Sequence, residues 1–314
     1  MIEVKHLTKR YGHFLALEDV SFQIGEGEIV GLLGPNGAGK STVMNILTGC
    51  LSASEGEVRV AGVDVREHPT EAKKSVGYLP EQPPLYPDMT VGEYLRFVYD
   101  LKQVDLPREP HLKEICELVK LGDVEHRLIG HLSKGYRQRV GIAAALIGDP
   151  KLVIFDEPTV GLDPKQIIEV RHLLRTLAKR HTVLLSTHIL AEAKAVCQRV
   201  LILNHGQLIA DEATDALARK VEENTHFQYS IIGPEKDVVK LLRGVSGVKD
   251  VISTGERDGE AWVYALSGVA GQDCRKAVYY ALAKQGYPII AAGAVGADLE
   301  SIFIRLVDNA TSKQ

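Results

Sequence analysis

The residues best equipped for chemistry stand in one run, Gly34-Pro35-Asn36-Gly37-Ala38-Gly39-Lys40-Ser41-Thr42. The apolar stretch Ile29 to Leu33 precedes it, and the helix-compatible stretch Val43-Met44-Asn45-Ile46-Leu47 follows. The order is strand, glycine loop, helix, with the G-x-x-x-x-G-K-[ST] spacing intact. Glycines let the backbone turn so that successive N–H groups point inward at phosphate oxygens, and the helix adds its positive end. In such a loop Lys40 reaches the β- and γ-phosphates, and the Ser41 hydroxyl takes a place on Mg²⁺. The run reads as a nucleoside triphosphate site.

A second group of reactive side chains closes an apolar run, Lys151-Leu152-Val153-Ile154-Phe155-Asp156-Glu157-Pro158. Such a run fits a strand buried on both faces of a parallel sheet. Carboxylates at its exit need water or a cation, and beside a phosphate loop the cation is Mg²⁺ with Asp156 as ligand. Glu157 points elsewhere and is placed to orient or deprotonate an attacking water. His188 ends another buried strand, Thr182 to Thr187, and Gln82 follows the strand Ser75 to Leu79 on a proline-rich loop. Taken alone, Gln82 is a polar loop residue and His188 a structural histidine. Three polar residues just past strand ends gather on one edge of a parallel sheet, where α/β folds place their ligands.

Two further residues carry two readings each. Ser133, in Leu132-Ser133-Lys134-Gly135-Tyr136, is an N-cap for the long helix after it, and with the flexible Gly135 it also makes an anion site. Tyr11, in Lys9-Arg10-Tyr11-Gly12, either packs or stacks on a flat base.

The elements that position these groups follow the chain. Ile2 to Lys5 and Ala16 to Ile24 alternate as antiparallel strands, and Gly56 to Gly62 as another. Residues 90–121 read as helices, with Val91, Tyr94, Leu95 and Val98 on one face. Gly161-Leu162-Asp163-Pro164 starts a helix over 165–180, and a hairpin turns at Asn204-His205-Gly206. Past the polar stretch Glu222 to Thr225 the pattern changes to strand, helix, strand, strand, helix, strand, the order of a small ferredoxin-like module. Leu299, Ile302, Phe303, Leu306 and Val307 then form an apolar helical stripe.

Composition narrows the class. A chain of 314 residues exceeds one typical domain. Its net charge is −4, and residues 225–314 carry ten basic and ten acidic residues with no basic stripe, which argues against nucleic acid as a partner. Four scattered cysteines without a C-x-x-C pair read as small buried hydrophobes of a reducing compartment. The N-terminus has no apolar core of a signal peptide, and no run of about 18 apolar residues is present to span a membrane.

In this order and at these intervals the motifs resemble those of the nucleotide-binding subunit of ATP-binding cassette (ABC) transporters, over roughly residues 1–222. The resemblance implies an α/β P-loop NTPase (ABC ATPase) domain with an antiparallel β subdomain and a helical subdomain. A small α+β ferredoxin-like accessory domain would follow, over 226–310. It also implies roles: Tyr11 stacks on adenine, and Gly34, Pro35, Asn36, Gly37, Ala38, Gly39, Lys40, Ser41 and Thr42 form the phosphate loop. Asp156, Ser41 and Gln82 hold Mg²⁺, Glu157 is the catalytic base, and His188 senses the γ-phosphate. Asp163 links the two sites of a dimer. Leu132 to Tyr136 match a signature loop usually reading Leu-Ser-Gly-Gly-Gln. Ser133 and Gly135, its γ-phosphate contacts, are kept, whereas Lys134 and Tyr136 depart as in ATPases that pair with ABC-2-type permeases.

A single copy of each motif implies a homodimer, or a heterodimer with a related ATPase, closing on two ATP molecules. The expected protein is a cytoplasmic ATPase, peripheral on the membrane, driving a separate ABC-2-type export permease. Leu85, Tyr86 and Met89, near Gln82, are expected to be exposed and to form part of the permease docking surface. The alternative is a non-transport ABC ATPase acting as a nucleotide-gated switch on a macromolecule. The C-terminal module has two readings, a support for dimerisation or regulation and a ligand sensor.

Overall fold

The computed structural model describes residues 1–216, 226–269 and 272–294. The chain divides into two compact units, Met1–Thr214 and Asp215–Gln314. The expected boundary at 222 and the apolar stripe of 299–307 lie outside the described residues.

The first unit is built on two sheets. One has the order β10-β9-β3-β8-β7-β6, formed by β3 (Ile29–Leu33), β6 (Val76–Leu79), β7 (Leu152–Phe155), β8 (Thr182–Thr187), β9 (Arg199–Asn204) and β10 (Gln207–Ala213). All pair in parallel except β10. Every residue of β3, β7 and β8 is buried, which is why these strands read as unbroken apolar runs rather than alternations. The other sheet, β2-β1-β4-β5, is antiparallel and comprises β1 (Ile2–Tyr11), β2 (Phe14–Ile24), β4 (Glu55–Val60) and β5 (Val63–Asp64). Its inner residues Ile2, Val4, Val20 and Phe22 share one core with Val30, Leu32 and Leu184 of the parallel sheet. Between them lies α1 (Lys40–Leu47), whose Val43, Met44, Ile46 and Leu47 are buried, and α2 (Pro69–Lys74) follows β5.

The strand β1 runs six residues beyond the expected Lys5. Register shifts between Val4 and Leu7, Leu7 and Lys9, and Lys9 and Arg10 bend it, and pairing with β2 continues to Tyr11 opposite Phe14. Tyr11 therefore ends a strand instead of lying between two.

The helices α3 (Val91–Leu101) and α4 (Arg108–Leu118) fill the expected helical span. Thr90 and Glu93 form a reciprocal capping box at the start of α3. The signature helix α5 (Lys134–Leu146) lies hard against β6: a Cβ on Gly77 would stand 2.2 Å from the Ala145 carbonyl oxygen. Its last turn is closed by Lys102, whose ammonium donates to the carbonyls of Ala144, Ala145 and Ile147. Of the residues expected to be exposed beside Gln82, Tyr86 is, but Leu85 and Met89 are half-buried. Met89 is drawn in where its carbonyl accepts from the Ile129 N–H.

In the second unit β11 (His226–Ile231), β12 (Val248–Asp258), β13 (Ala261–Gly268) and β14 (Ile289–Ala294) form an antiparallel sheet in the order β12-β13-β11-β14. Helices Glu235–Arg243 and Arg275–Gln285 pack on it through Val238, Leu242, Val278 and Leu282. This is the ferredoxin-like arrangement that the order of elements predicts.

Candidate functional site

The phosphate loop leaves β3 and turns into α1 through Gly37 and Gly39, both left-handed at φ of 81° and 106°. Two such glycines point successive backbone N–H groups to one side. Side chains are excluded here for a second reason. A Cβ on Gly34 would stand 2.4 Å from the Leu203 carbonyl oxygen, and one on Gly39 would stand 2.6 Å from Leu17 Cδ2. The β9–β10 hairpin tip braces the loop: Gly206 N–H donates to Ala38 O at 3.1 Å, and Glu18 N–H donates to Gly206 O at 2.9 Å.

Lys40, only 7% exposed, donates to the carbonyls of Gly34 at 2.7 Å and Pro35 at 3.2 Å, and its Nζ lies 4.0 Å from Glu157 Oε1. Burial pushes its ammonium below the usual lysine range, partly offset by the Glu157 and Asp156 carboxylates. Ser41, next along α1, donates to Asp156 Oδ2 at 3.3 Å.

At the end of β7, Asp156 and Glu157 are 7% and 9% exposed and diverge. Asp156 accepts from Ser186 Oγ at 2.6 Å, and the same hydroxyl accepts from the Glu157 N–H at 2.9 Å. Glu157 sits at φ 47°, which turns its carboxylate away from Asp156 and toward His188. His188 Nδ1 is 3.1 Å from both carboxylate oxygens. An ionised carboxylate only accepts, so this contact puts the hydrogen on Nδ1.

Lys40, Ser41, Asp156, Glu157 and His188, drawn from three strand ends, thus form one connected polar group on the carboxyl edge of the parallel sheet. Gln82 is exposed, three residues beyond Leu79, which pairs with Phe155; it shares that edge by position. Asn36 and Gly37 are exposed on the loop, and Thr42 is half-buried one residue further along α1.

Three of the expected residues form a separate group. Ser133 caps α5, accepting from Tyr136 N–H at 3.4 Å. Asp163 caps α6 (Pro164–Leu177), accepting from Gln166 N–H at 2.9 Å. Gly135 joins the two caps, since a Cβ there would stand 2.5 Å from the Gln166 side chain. Tyr136 is committed elsewhere, donating its hydroxyl to Asp123 at 3.1 Å. Tyr11, 48% exposed, carries the Lys9 ammonium 5.2 Å from its ring centre.

Sequence reading missed two members of the site. Ser186 lies inside an apolar strand, and its only sign was a polar residue in a run otherwise fit for burial. Gln138 is buried in α5 and donates to Pro158 O at 3.1 Å, tying the signature helix to the loop after β7.

The family model described as ABC transporter matches residues 17–160, from β2 through the carboxylates of β7. The bacitracin transport ATP-binding protein BcrA of Bacillus licheniformis is 30% identical over 99% of this chain and 98% of its own length. The chain belongs to the ATP-binding proteins of ABC transporters. The ABC transporter ATP-binding protein YxlF of Bacillus subtilis is 39% identical over 66% of this chain and 69% of its own length. A bacterial ABC transporter cassette solved as a dimer superposes with a TM-score of 0.63, at 29% identity, over 68% of this chain and 99% of that one. This chain is accordingly an ATP-binding, ATP-hydrolysing subunit of an ABC transporter.

Proposed function

We propose that this ABC ATPase powers a separate ABC-2-type export permease from the cytoplasmic face of the membrane, with its polar group on the sheet edge as the hydrolytic site. The observation that carries this reading is the connected set Lys40–Glu157–His188 and Ser41–Asp156–Ser186. In it Lys40 and the loop N–H groups of residues 34–42 hold the β- and γ-phosphates of ATP, and Tyr11 offers its exposed ring to adenine. Glu157 takes the proton from the attacking water. His188 fixes the orientation of that carboxylate through Nδ1 and presents Nε2 outward. Ser41 Oγ and the Asp156 carboxylate, 3.3 Å apart, are the hard oxygen donors that Mg²⁺ requires, with Gln82 from the neighbouring strand end. The ion, when bound, neutralises charge on the phosphate oxygens.

Ser133 and Gly135 lie with Asp163 in the second group rather than with Lys40. That separation supports a head-to-tail dimer, in which each signature loop covers the nucleotide held by the partner and Asp163 passes between the sites. Closure excludes water and completes each site. End-to-end likeness to a bacitracin transport protein supports the transport reading. Residues 226–310 then act as an accessory domain that supports dimerisation or regulation.

The test is co-purification from native membranes with the Glu157→Gln protein and ATP, a change that removes the base while leaving nucleotide binding in place. A multi-span membrane protein is the expected companion. Ribosomes or DNA-bound factors in its place would overturn the transport reading.

A further inference from the structure

Glu157 holds an unfavourable backbone. A glutamate at φ 47° occupies a region costly to side-chain-bearing residues, by about 1–3 kcal/mol when the surroundings do not compensate. Such a conformation persists only where neighbours hold the chain on both sides. The side toward the sheet is held by Ser186, which accepts from the Glu157 N–H. The side leaving the sheet is held by a residue outside the site described above. Glu192 lies in α7 (Leu190–Val196), and its Oε2 accepts from Thr159 Oγ1 at 2.7 Å and from Thr187 Oγ1 at 3.3 Å.

The placement of those two threonines gives the contact its meaning. Thr159 is two residues past Glu157, and Thr187 is the residue before His188. Both are buried. One carboxylate oxygen therefore bridges the exits of β7 and β8, the two strands that deliver Glu157 and His188. Thr187 Oγ1 also accepts from Ile189 N–H at 3.1 Å, which fixes the chain on the other side of His188. The bridge stands on a firm base. Leu190 and Ala193 of α7 are buried, and a Cβ on Gly31 of β3 would stand 3.4 Å from Ala193 Cβ.

We propose that Glu192 is a positioning residue for ATP hydrolysis, holding Thr159 and Thr187 so that Glu157 keeps its left-handed turn and stays against His188. This rests on the roles given above to Glu157 and His188. Two consequences distinguish it from a merely structural carboxylate. First, a single acceptor oxygen suffices, so a glutamine can do the same work. Second, the loss falls on turnover and not on ATP binding, because the bridge touches neither Lys40 nor the glycine loop. Displacement of a catalytic group by about 1 Å is enough to slow a reaction on the order of 100-fold.

The experiment compares E192Q, E192L, T159V and E157Q in the full-length protein, measuring kcat and KM for ATP, ATP affinity and thermal midpoint. E192L and T159V are expected to lose about 10- to 100-fold in kcat with ATP affinity held within about twofold. E192Q is expected to retain most of the wild-type rate. If E192L does not fold, T159V carries the test, since it only exchanges a hydroxyl for a methyl. Wild-type turnover in E192L or T159V while E157Q is inactive would overturn the proposal alone. So would E192Q as slow as E192L, which would mean that the charge and not the acceptor matters. Wild-type turnover in E157Q would overturn the site reading itself, and this proposal with it.

Discussion

The two units use the same ingredients, a sheet with helices, and bury polar groups in opposite ways. On the carboxyl edge of the first unit, Lys40, Asp156, Glu157 and Ser186 are all buried, and each one is bonded to another. In the second unit the core is Phe227, Tyr229, Ile231, Val251, Tyr264 and Leu266 with the inner faces of two helices. Its ion pair between Arg275 and Asp273 is exposed. Two of its buried hydroxyls, those of Ser253 and Tyr264, have no hydrogen-bond partner among the described residues. A buried charge without a partner costs several kcal/mol, so a fold retains a connected set of them only where each satisfies the next. The first unit keeps such a set, and in the function proposed above the phosphates and the attacking water are what it serves.

The sharpest way to break this comparison is to remove a member of the connected set. Lys40→Met should lower ATP turnover by more than about 100-fold, since the developing phosphate charge loses its buried cation. It also strips Glu157 of the ammonium 4.0 Å away. A phosphate-release assay on the purified protein is the measurement, and wild-type turnover would separate the polar group from the chemistry.

Ser186→Ala is the next largest. It removes the donor to Asp156 and the acceptor of the Glu157 N–H at once, leaving two buried groups short of a partner. We expect a stability loss of about 1–3 kcal/mol and a turnover loss of about tenfold, read by denaturant unfolding and by steady-state kinetics. An equal change at a polar residue of the second unit should leave turnover alone.

What was legible in the sequence follows from how far apart the partners stand. The glycine loop, Asp156-Glu157 and the β9–β10 hairpin are carried by spacings of a few residues, and the structure places these residues as those spacings require. The βαββαβ order of the second unit was likewise written in periodicity, 2 for Trp262 to Leu266 and 3.6 for Val238 to Leu242. Ser186 and Glu192 were not legible. Their partners lie 29 to 33 residues away for the long contacts, and nothing local distinguishes a serine in a strand or a glutamate in a helix. The extension of β1 to Tyr11 was hidden because three register shifts break the alternation that a flat strand would show. The half-buried Met89 is tied to a segment 40 residues downstream, through the Ile129 N–H bond to its carbonyl.

Packing against β6 gives a third test, smaller in activity than in stability. Gly77→Ala would place a methyl group 2.2 Å from the Ala145 carbonyl oxygen, a backbone atom that cannot move without shifting α5. Overpacking of this kind costs about 1–3 kcal/mol. Because α5 begins at Ser133 and carries Gln138, turnover should fall a few-fold as well, roughly in line with the shift of a helix by tenths of an ångström. A fully stable and active Gly77→Ala protein would mean that α5 is not seated as tightly as its contacts with β6 require.

The smallest effect is expected where the comparison began, at Tyr264. Its ring is fully buried, burial pushes its phenol above the usual tyrosine range, and its hydroxyl has no partner among the described residues. A hydroxyl buried without a partner loses its bonds to water on folding and gains none in return. Tyr264→Phe removes the group from both states, so stability should stay level or rise by up to about 1 kcal/mol. The sole tryptophan of the chain, Trp262, lies two residues away on the same strand, so its fluorescence follows the unfolding of the second unit without interference from the first. ATP turnover should not move. A Tyr264→Phe protein whose second unit melts earlier would show that this hydroxyl is bonded in the working protein. The second unit would then hold a buried polar contact of its own, and the contrast with the nucleotide edge would narrow to the identity of the groups involved.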